Sequence, residues 1–451
     1  MKSTVLTVVL SPSGVAAQLT GPVGPTTDLS KKTTECNILN YGGASDNSTD
    51  VADAIENAYR SCVLVHSGSR LIVPEGNYLI KRTAILSNGT NWAFQLDGLI
   101  TLAYGGNWTV DRELILQGFA GVEQLNATIN GEGDGLFLQN GITIINPVDF
   151  EFYSQNGKGA IQGQGYLYRN SGNTFRPRLI RLISPINTSV HDLILVDSPK
   201  FHIVFDFAVN LEVYHLTIRG ANLGSYDGVD VVGTNYWIHD IEVTNRDECV
   251  SVKSPSNHAL VENLVCNQAG SGISIGSLNV SASIANIHAR NISIIQGNNI
   301  AFIKTYPGGS GYVTNITFEN FRSKASLYGL DINQYWQNTF EPDTGAVALS
   351  NLVFRNFSGS VADGAKRPPL YLIANDLTYA TNVTVEDFSL WTESGTYVVN
   401  KISNIFGSGD NSYGAGDGIK SLTSKHSRTA YTPAPLWKPE GDYDKHYWGS
   451  F

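Results

Sequence analysis

Between residues 180 and 400 the chain keeps returning to short β-rich runs: "LIRLIS", "HIVFDF", "LEVYHLTI", "WIHDIEV", "CVSVK", "GISIG", "AFIK", "YVTNITFENF", "LVFRNF" and "TNVTVEDFSL". Asn, Gly, Ser and Asp separate them without helical periodicity, which is the grammar of strands and turns rather than of alternating strands and helices. The period constrains the fold further. Val229-Asp230-Val231, Cys249-Val250-Ser251, Gly272-Ile273-Ser274 and Ala301-Phe302-Ile303 succeed one another at roughly 20 to 30 residues, with Trp237-Ile238-His239 and Leu260-Val261-Glu262 between them. One coil of a solenoid per period accounts for that, whereas a β-sandwich would need hairpins at roughly 8 to 12 residues. The expected fold class is all-β: a single-domain right-handed parallel β-helix of about ten coils. A Gly count of 45 and a charged fraction of only 16% fit a turn-rich β protein.

The open end of a solenoid exposes a strand edge and core, so it must be covered. "SDNSTDVADAIENAYRSC" sets turn and cap formers before Val51, Ile55, Ala58, Tyr59 and Cys62 at helical spacing. It predicts a short amphipathic helix closing the N-terminal end. The expected layout is a signal segment over 1–17, the solenoid over 18–423 and a C-terminal tail over 424–451 lying on it.

Lys2, the apolar stretch Val5 to Leu10 and the small residues Val15-Ala16-Ala17 read as a secretory signal, with Gln18 first after cleavage. No other apolar run is long enough to span a bilayer, so no membrane partner is expected. Ten Asn-X-Ser/Thr sequons occur; Asn47, Asn126, Asn187, Asn291, Asn315 and Asn356 are the glycosylation candidates. The four cysteines permit three connectivities, and the local pairs Cys36 with Cys62 and Cys249 with Cys266 are the expectation in an oxidising compartment. A net charge of −10 and no Lys/Arg-rich run speak against a nucleic-acid partner. The chain is expected to act as a secreted monomer.

The residues that carry chemistry lie at strand mouths. Asp227 in "GSYDGVDV" and Asp247 in "NRDECVSV" stand 20 residues apart, each just ahead of its strand, and are expected to stack on adjacent coils about 4.8 Å apart. Asp247 and Glu248 can share a cleft only if one of them lies in the turn or a bulge, because neighbours in a regular strand face opposite sides. Crowded carboxylates raise at least one pKa. Glycoside hydrolysis needs that split: one acid protonated for the leaving oxygen, another ionised to activate water or attack. Solvated turn acids are the plainer alternative. Asp230 is expected to face a turn.

"GSYDGVDV", "NRDECVSVKS", "GSGISIGSL" and "AFIK", in this order and spacing, resemble the four signature segments of the polygalacturonase-like glycoside hydrolases of family 28, and "CNILNYGGASDNSTD" resembles the family's opening. The likeness reaches from about Gln18 to Thr423, with the stretch 108–141 fitting the family poorly and looking like an insertion. It implies Asp247 as general acid, Asp227 and Glu248 as the residues that hold and activate water in an inverting mechanism, and no cofactor or metal. The departures matter too. Ser225-Tyr226-Asp227 stands for Asn-Thr-Asp, Asp247-Glu248 for two aspartates, Gly270-Ser271-Gly272 for Gly-His-Gly, and Phe302-Ile303-Lys304 for Arg-Ile-Lys.

Arginine is a bidentate carboxylate partner, so Phe302 in its place suggests a sugar subsite that receives a neutral, more apolar sugar such as rhamnose. This set of exchanges resembles the fungal rhamnogalacturonan hydrolases, which cut between galacturonate and rhamnose, and implies the pectic polysaccharide rhamnogalacturonan I as partner. Lys304 and Lys253 are the expected galacturonate-binding cations, Ser271 lies in the binding segment, and Tyr335 in "INQYW" is a candidate for stacking on a sugar ring. Three alternatives stay open: a polygalacturonase or exo-acting relative, a calcium-dependent pectin lyase on the same carboxylates, and a pectin-binding protein without catalysis. Product analysis separates the first two from hydrolysis of rhamnogalacturonan, and an Asp247→Asn variant that keeps full function would mark the third.

Overall fold

The computed structural model describes residues 18–108, 139–339, 343–362, 368–394 and 400–409. The signal segment, the sequon Asn126, most of the 108–141 stretch and the tail after 409 lie outside the described residues. The rest winds as a right-handed coil in which 27 strands pair into one continuous parallel sheet system. Alternation explains which side chains go inside. In Val229–Thr244, Val229 and Val231 point into the core and are fully buried, while Asp230 between them faces out. Like stacks on like from coil to coil: Val229 lies over Val250, Ile273, Ala301 and Leu330 in turn, at steps of 21, 23, 28 and 29 residues. The rings of Phe94 and Phe152 stack 4.6 Å apart, and those of Phe321 and Phe357 stack 4.7 Å apart.

The solenoid is longer than the period suggested. One inward column runs unbroken from Cys36 through Leu71, Phe94, Phe152, Ile238 and Phe354 to Gly409, thirteen residues on thirteen successive coils. The first coils escaped a period search because their steps are irregular: 35 residues from Cys36 to Leu71, 23 to Phe94 and 58 to Phe152.

Helix α1, Ala52–Ala58, buries Ile55 and Ala58 against the first coils and continues into a turn, Tyr59–Val63, that buries Tyr59 and Cys62. The Cys36–Cys62 disulfide ties this cap to the first strand, and Cys249–Cys266 forms the second pair. A second helix, α2, Gly165–Ser171, was not foreseen; Tyr168 on it accepts a hydrogen bond from the buried Trp108 indole. Among the described residues no helix is long and apolar enough to cross a membrane.

Asparagine abundance has a structural cause. Corners between strands need φ > 0, which Asn tolerates, and stacked corners align the amides into ladders. Asn291, Asn315 and Asn356 donate through Nδ2 to Asn263, Asn286 and Asn320, so the nitrogen a glycan would use already serves the ladder. The side-chain oxygen of Asn187 accepts from Asn210, and Asn47 is exposed.

Candidate active site

Contacts to backbone carbonyls bring the strand mouths together. Gly228 N–H donates to the Glu248 carbonyl at 2.8 Å, and Gly270 N–H to the Asp247 carbonyl at 2.6 Å. Buried Asn245 donates through Nδ2 to the carbonyls of Tyr226 and Glu248, at 2.9 and 3.2 Å. His202 holds the Asp227 carbonyl with its own N–H and with Nδ1, both at 2.9 Å; burial pushes its pKa down to about 4, so the ring is neutral and carries its proton on Nδ1.

The register differs by one from the sequence expectation. Val229 pairs with Val250, a step of 21, so Asp227 stands level with Glu248 rather than with Asp247. Asp247 sits in the turn just before the strand Glu248–Asn267, which frees both neighbours to face one cleft. One oxygen from each of Asp227, Asp247 and Glu248 lies within 4.8 Å of the others. Gly270 passes directly beneath: a Cβ there would lie 2.8 Å from the Asp247 backbone.

Electrostatics then separates the acids. Burial, reinforced by the charge of Glu248, pushes Asp247 up to about 8, so it is protonated at neutral pH, while its Oδ2 accepts from Ser225 N–H. Burial alone would also raise Glu248, but Lys304 Nζ bonds directly to its Oε1 and holds it well below the usual carboxylate range. Asp227 is held well above that range by burial and then by the charges of Asp230, Asp247 and Glu248.

Asp230 faces this site and not a turn, which corrects the sequence expectation: it is buried, lines the cleft and lies 4.0 Å from Lys253 Nζ. Burial raises its pKa, opposed by Lys253. The alternation with inward Val229 and Val231 was the signal that could have placed it. Lys253 lines the cleft as a largely buried cation, and its ammonium also donates to the Gly276 carbonyl at 3.0 Å.

Two other candidates lie away from the cleft surface. Ser271 is fully buried one coil beyond Glu248, its register partner. Tyr335 turns away, donating to Asp343 at 3.0 Å and accepting from Asp376 N–H at 2.9 Å. Its neighbour Trp336 enters the cleft instead, and the buried Phe302 backs it edge-to-face, with ring centroids 5.1 Å apart.

Along the solenoid axis the cleft changes character. Arg178 and Arg181 line the end toward the N-terminus, with Arg181 paired to Asp206 at 2.6 Å; Tyr306 and Trp336 line the other end, and the carboxylates lie between. The two arginines were missed because they lie outside the signature segments, whereas Trp336 belongs to the "INQYW" stretch singled out for stacking on a sugar ring. Three close carboxylates could in spacing hold a divalent cation. The donor set suits one poorly, since Glu248 is already balanced by Lys304 and Asp247 favours its proton.

A long parallel β-helix with a groove of pH-split carboxylates along its side is the architecture of an enzyme acting on an extended polysaccharide. Residues 67–408 match the family profile of Glycosyl hydrolases family 28, and the chain belongs to that family. It is 40% identical over 409 residues to a probable rhamnogalacturonase A of Aspergillus niger, covering 90% of this chain and 83% of that protein. It is also 40% identical over 400 residues to rhamnogalacturonase A of Aspergillus aculeatus, covering 88% and 82%. Among solved structures, the endo-xylogalacturonan hydrolase of Aspergillus tubingensis superposes with a TM-score of 0.67 at 24% identity, covering 80% of this chain and 94% of that one. The fold is therefore that of the family's parallel β-helix.

Proposed function

We propose that this chain is a secreted, endo-acting rhamnogalacturonan hydrolase that cleaves the bond between galacturonate and rhamnose in the rhamnogalacturonan I backbone. The observation that carries the reading is the split acid pair in the cleft: Asp247 protonated beside an ionised Glu248, with Arg178 and Arg181 toward one end and Tyr306 and Trp336 toward the other. Arg178 and Lys253 supply charge for a galacturonate carboxylate, and Trp336 offers an apolar face to the methyl-bearing rhamnose. The rhamnogalacturonases among the relatives support the same substrate.

In the reaction, Asp247 donates its proton to the glycosidic oxygen as the bond to C1 breaks. Glu248, with Asp227 beside it, takes a proton from water attacking the opposite face. Inverting enzymes usually hold their carboxyl groups ~6.5–9.5 Å apart, wider than the closest oxygens here. Inversion is nevertheless supported by the Lys304 ion pair, which weakens Glu248 as a nucleophile but leaves it able to accept a proton.

The test is to treat deacetylated rhamnogalacturonan and polygalacturonate separately with the secreted protein, EDTA present, and to follow new reducing ends by NMR. New galacturonate ends from rhamnogalacturonan alone, formed first as the inverted anomer, are expected. Cleavage of polygalacturonate would overturn the substrate assignment; the retained anomer would make a carboxylate the nucleophile. Unsaturated ends would indicate a lyase. Light scattering of the same preparation checks that it acts as a monomer.

A further inference from the structure

Lys304 reaches the site from 56 residues beyond Glu248, and three features fix where its charge goes. Its ammonium bonds to Glu248 Oε1. The same nitrogen lies 5.3 Å from the Phe302 ring centre and 5.0 Å from that of Trp336, within the range of cation–π attraction. The two rings meet at 76°, so they form a corner around the ammonium, and Lys304 is only 8% exposed. Lys304 lines the groove, but its ammonium is flanked by two rings and already directed at a protein carboxylate.

We propose that Lys304 is a positioning residue: held by Phe302 and Trp336, it serves as the fixed counter-charge that keeps Glu248 a carboxylate, and it is not the ligand of a substrate carboxylate. Phe302 then has a role beyond the sugar subsite, because an arginine in its place would set a second cation against Lys304 and remove one wall of the box. The other charges facing the pair are the carboxyl groups of Asp227, Asp230, Asp247 and Asp331 and the ammonium of Lys253. Of these only Lys253 could substitute for the lost cation, and it lies against Asp230.

The proposal rests on the hydrolase reading for its kinetic arm only. Lys304→Met keeps the stem and removes the charge. It is expected to move the acidic limb of the kcat–pH profile on rhamnogalacturonan upward by about one to three pH units, the range for losing an opposite charge at contact, with KM changed less than about threefold. Lys304→Arg, which keeps a cation between the rings, should restore the limb. A tenfold or larger rise in KM with both limbs unmoved would overturn the proposal and make Lys304 a substrate ligand. An infrared pH titration of the carboxylates without substrate, with Glu248→Gln as the blank, reads the same shift in wild type and Lys304→Met. An unshifted Glu248 there would also overturn the proposal. If the wild type cleaves no rhamnogalacturonan while the titration shows the shift, the substrate assignment fails and the role of Lys304 stands.

Discussion

Two outward faces of the solenoid stack their charged residues by the same rule and arrive at opposite results. On one, Tyr153, His191, Tyr214, His239, Glu262, Arg290, Glu319 and Arg355 follow one another coil by coil. Rings lie on rings there, His191 over Tyr214 at 4.5 Å and Tyr214 over His239 at 5.2 Å, and charges alternate in sign, Arg290 meeting Glu262 at 2.6 Å. On the other, Asp227 lies level with Glu248, and Asp230 and Asp247 crowd beside them. Parallel stacking repeats whatever sign pattern the sequence supplies at about 4.8 Å. Alternation produces a ladder at rest; repetition produces groups that titrate far from their ordinary values, which is what acid–base catalysis uses.

The largest effect comes from breaking the crowded face. Asp247→Asn removes the proposed proton donor without changing shape, and kcat on rhamnogalacturonan is expected to fall about 10³-fold, within the span for general acid catalysis, while the melting curve keeps its cooperativity. Retention of more than a tenth of wild-type kcat would assign the acid elsewhere. Next in size is Gly270→Ala. The added methyl would press on the Asp247 backbone from 2.8 Å, and a displacement near 1 Å can cost ~10²-fold. A kcat within threefold of wild type would show that the turn can give way.

The wild-type pH profile sharpens the same point. As the proposed general acid Asp247 must be protonated to act, and its pKa lies at about 8. Activity should therefore hold across neutral pH and fall about tenfold per unit above roughly pH 8, measured as kcat/KM on rhamnogalacturonan. An alkaline limb below pH 6 would mean that Asp247 is not held up by its surroundings.

What could be read in advance follows from the range of the forces. Alternation within a strand and recurrence between coils are local, so the β-helix, the N-terminal cap and the pair Asp247-Glu248 at a strand mouth were legible. Register was not: a step of 21 in place of 20 sets Asp227 level with Glu248, and the backbone bonds that decide this lie between coils. Partnership across coils was hidden too, as with Lys304 and Glu248. "INQYW" was half right: Tyr335 and Trp336 lead into a tight turn with Gln337 at φ 62°, and one ring points to Asp343 while the other enters the cleft.

The ladder face makes a different pH prediction. His191 lies between Asp192 at 2.7 Å and Glu151 at 3.0 Å, and His239 between Asp240 at 2.7 Å and Glu212 at 3.3 Å. Burial opposes their charge, but the carboxylates outweigh it and both pKa values are raised. From about 6.5 upward the unfolded chain sheds protons that these folded histidines keep, so their stabilisation is complete below that pH and is lost as pH rises through their folded values. Replacing both with Phe keeps the stack and removes the charge. The Tm gap between wild type and variant should narrow between pH 6 and 9; parallel curves would mean the rings are neutral throughout.

The smallest expected effect distinguishes a row of pairs from a network. Arg290→Gln deletes one cation of the ladder, yet Glu262 keeps a 3.0 Å bond from the Trp237 indole, and Glu319 keeps His288 at 2.8 Å together with Arg355. The Arg290 side chain is 39% exposed, so solvent already screens its charge. The loss should be under about 1 kcal/mol by denaturant titration, and smaller still in 1 M salt. A loss above ~2 kcal/mol would show that alternating charges on successive coils reinforce one another beyond nearest neighbours. The contrast between the two faces would then be one of sign alone, because both columns would couple their charges over several coils.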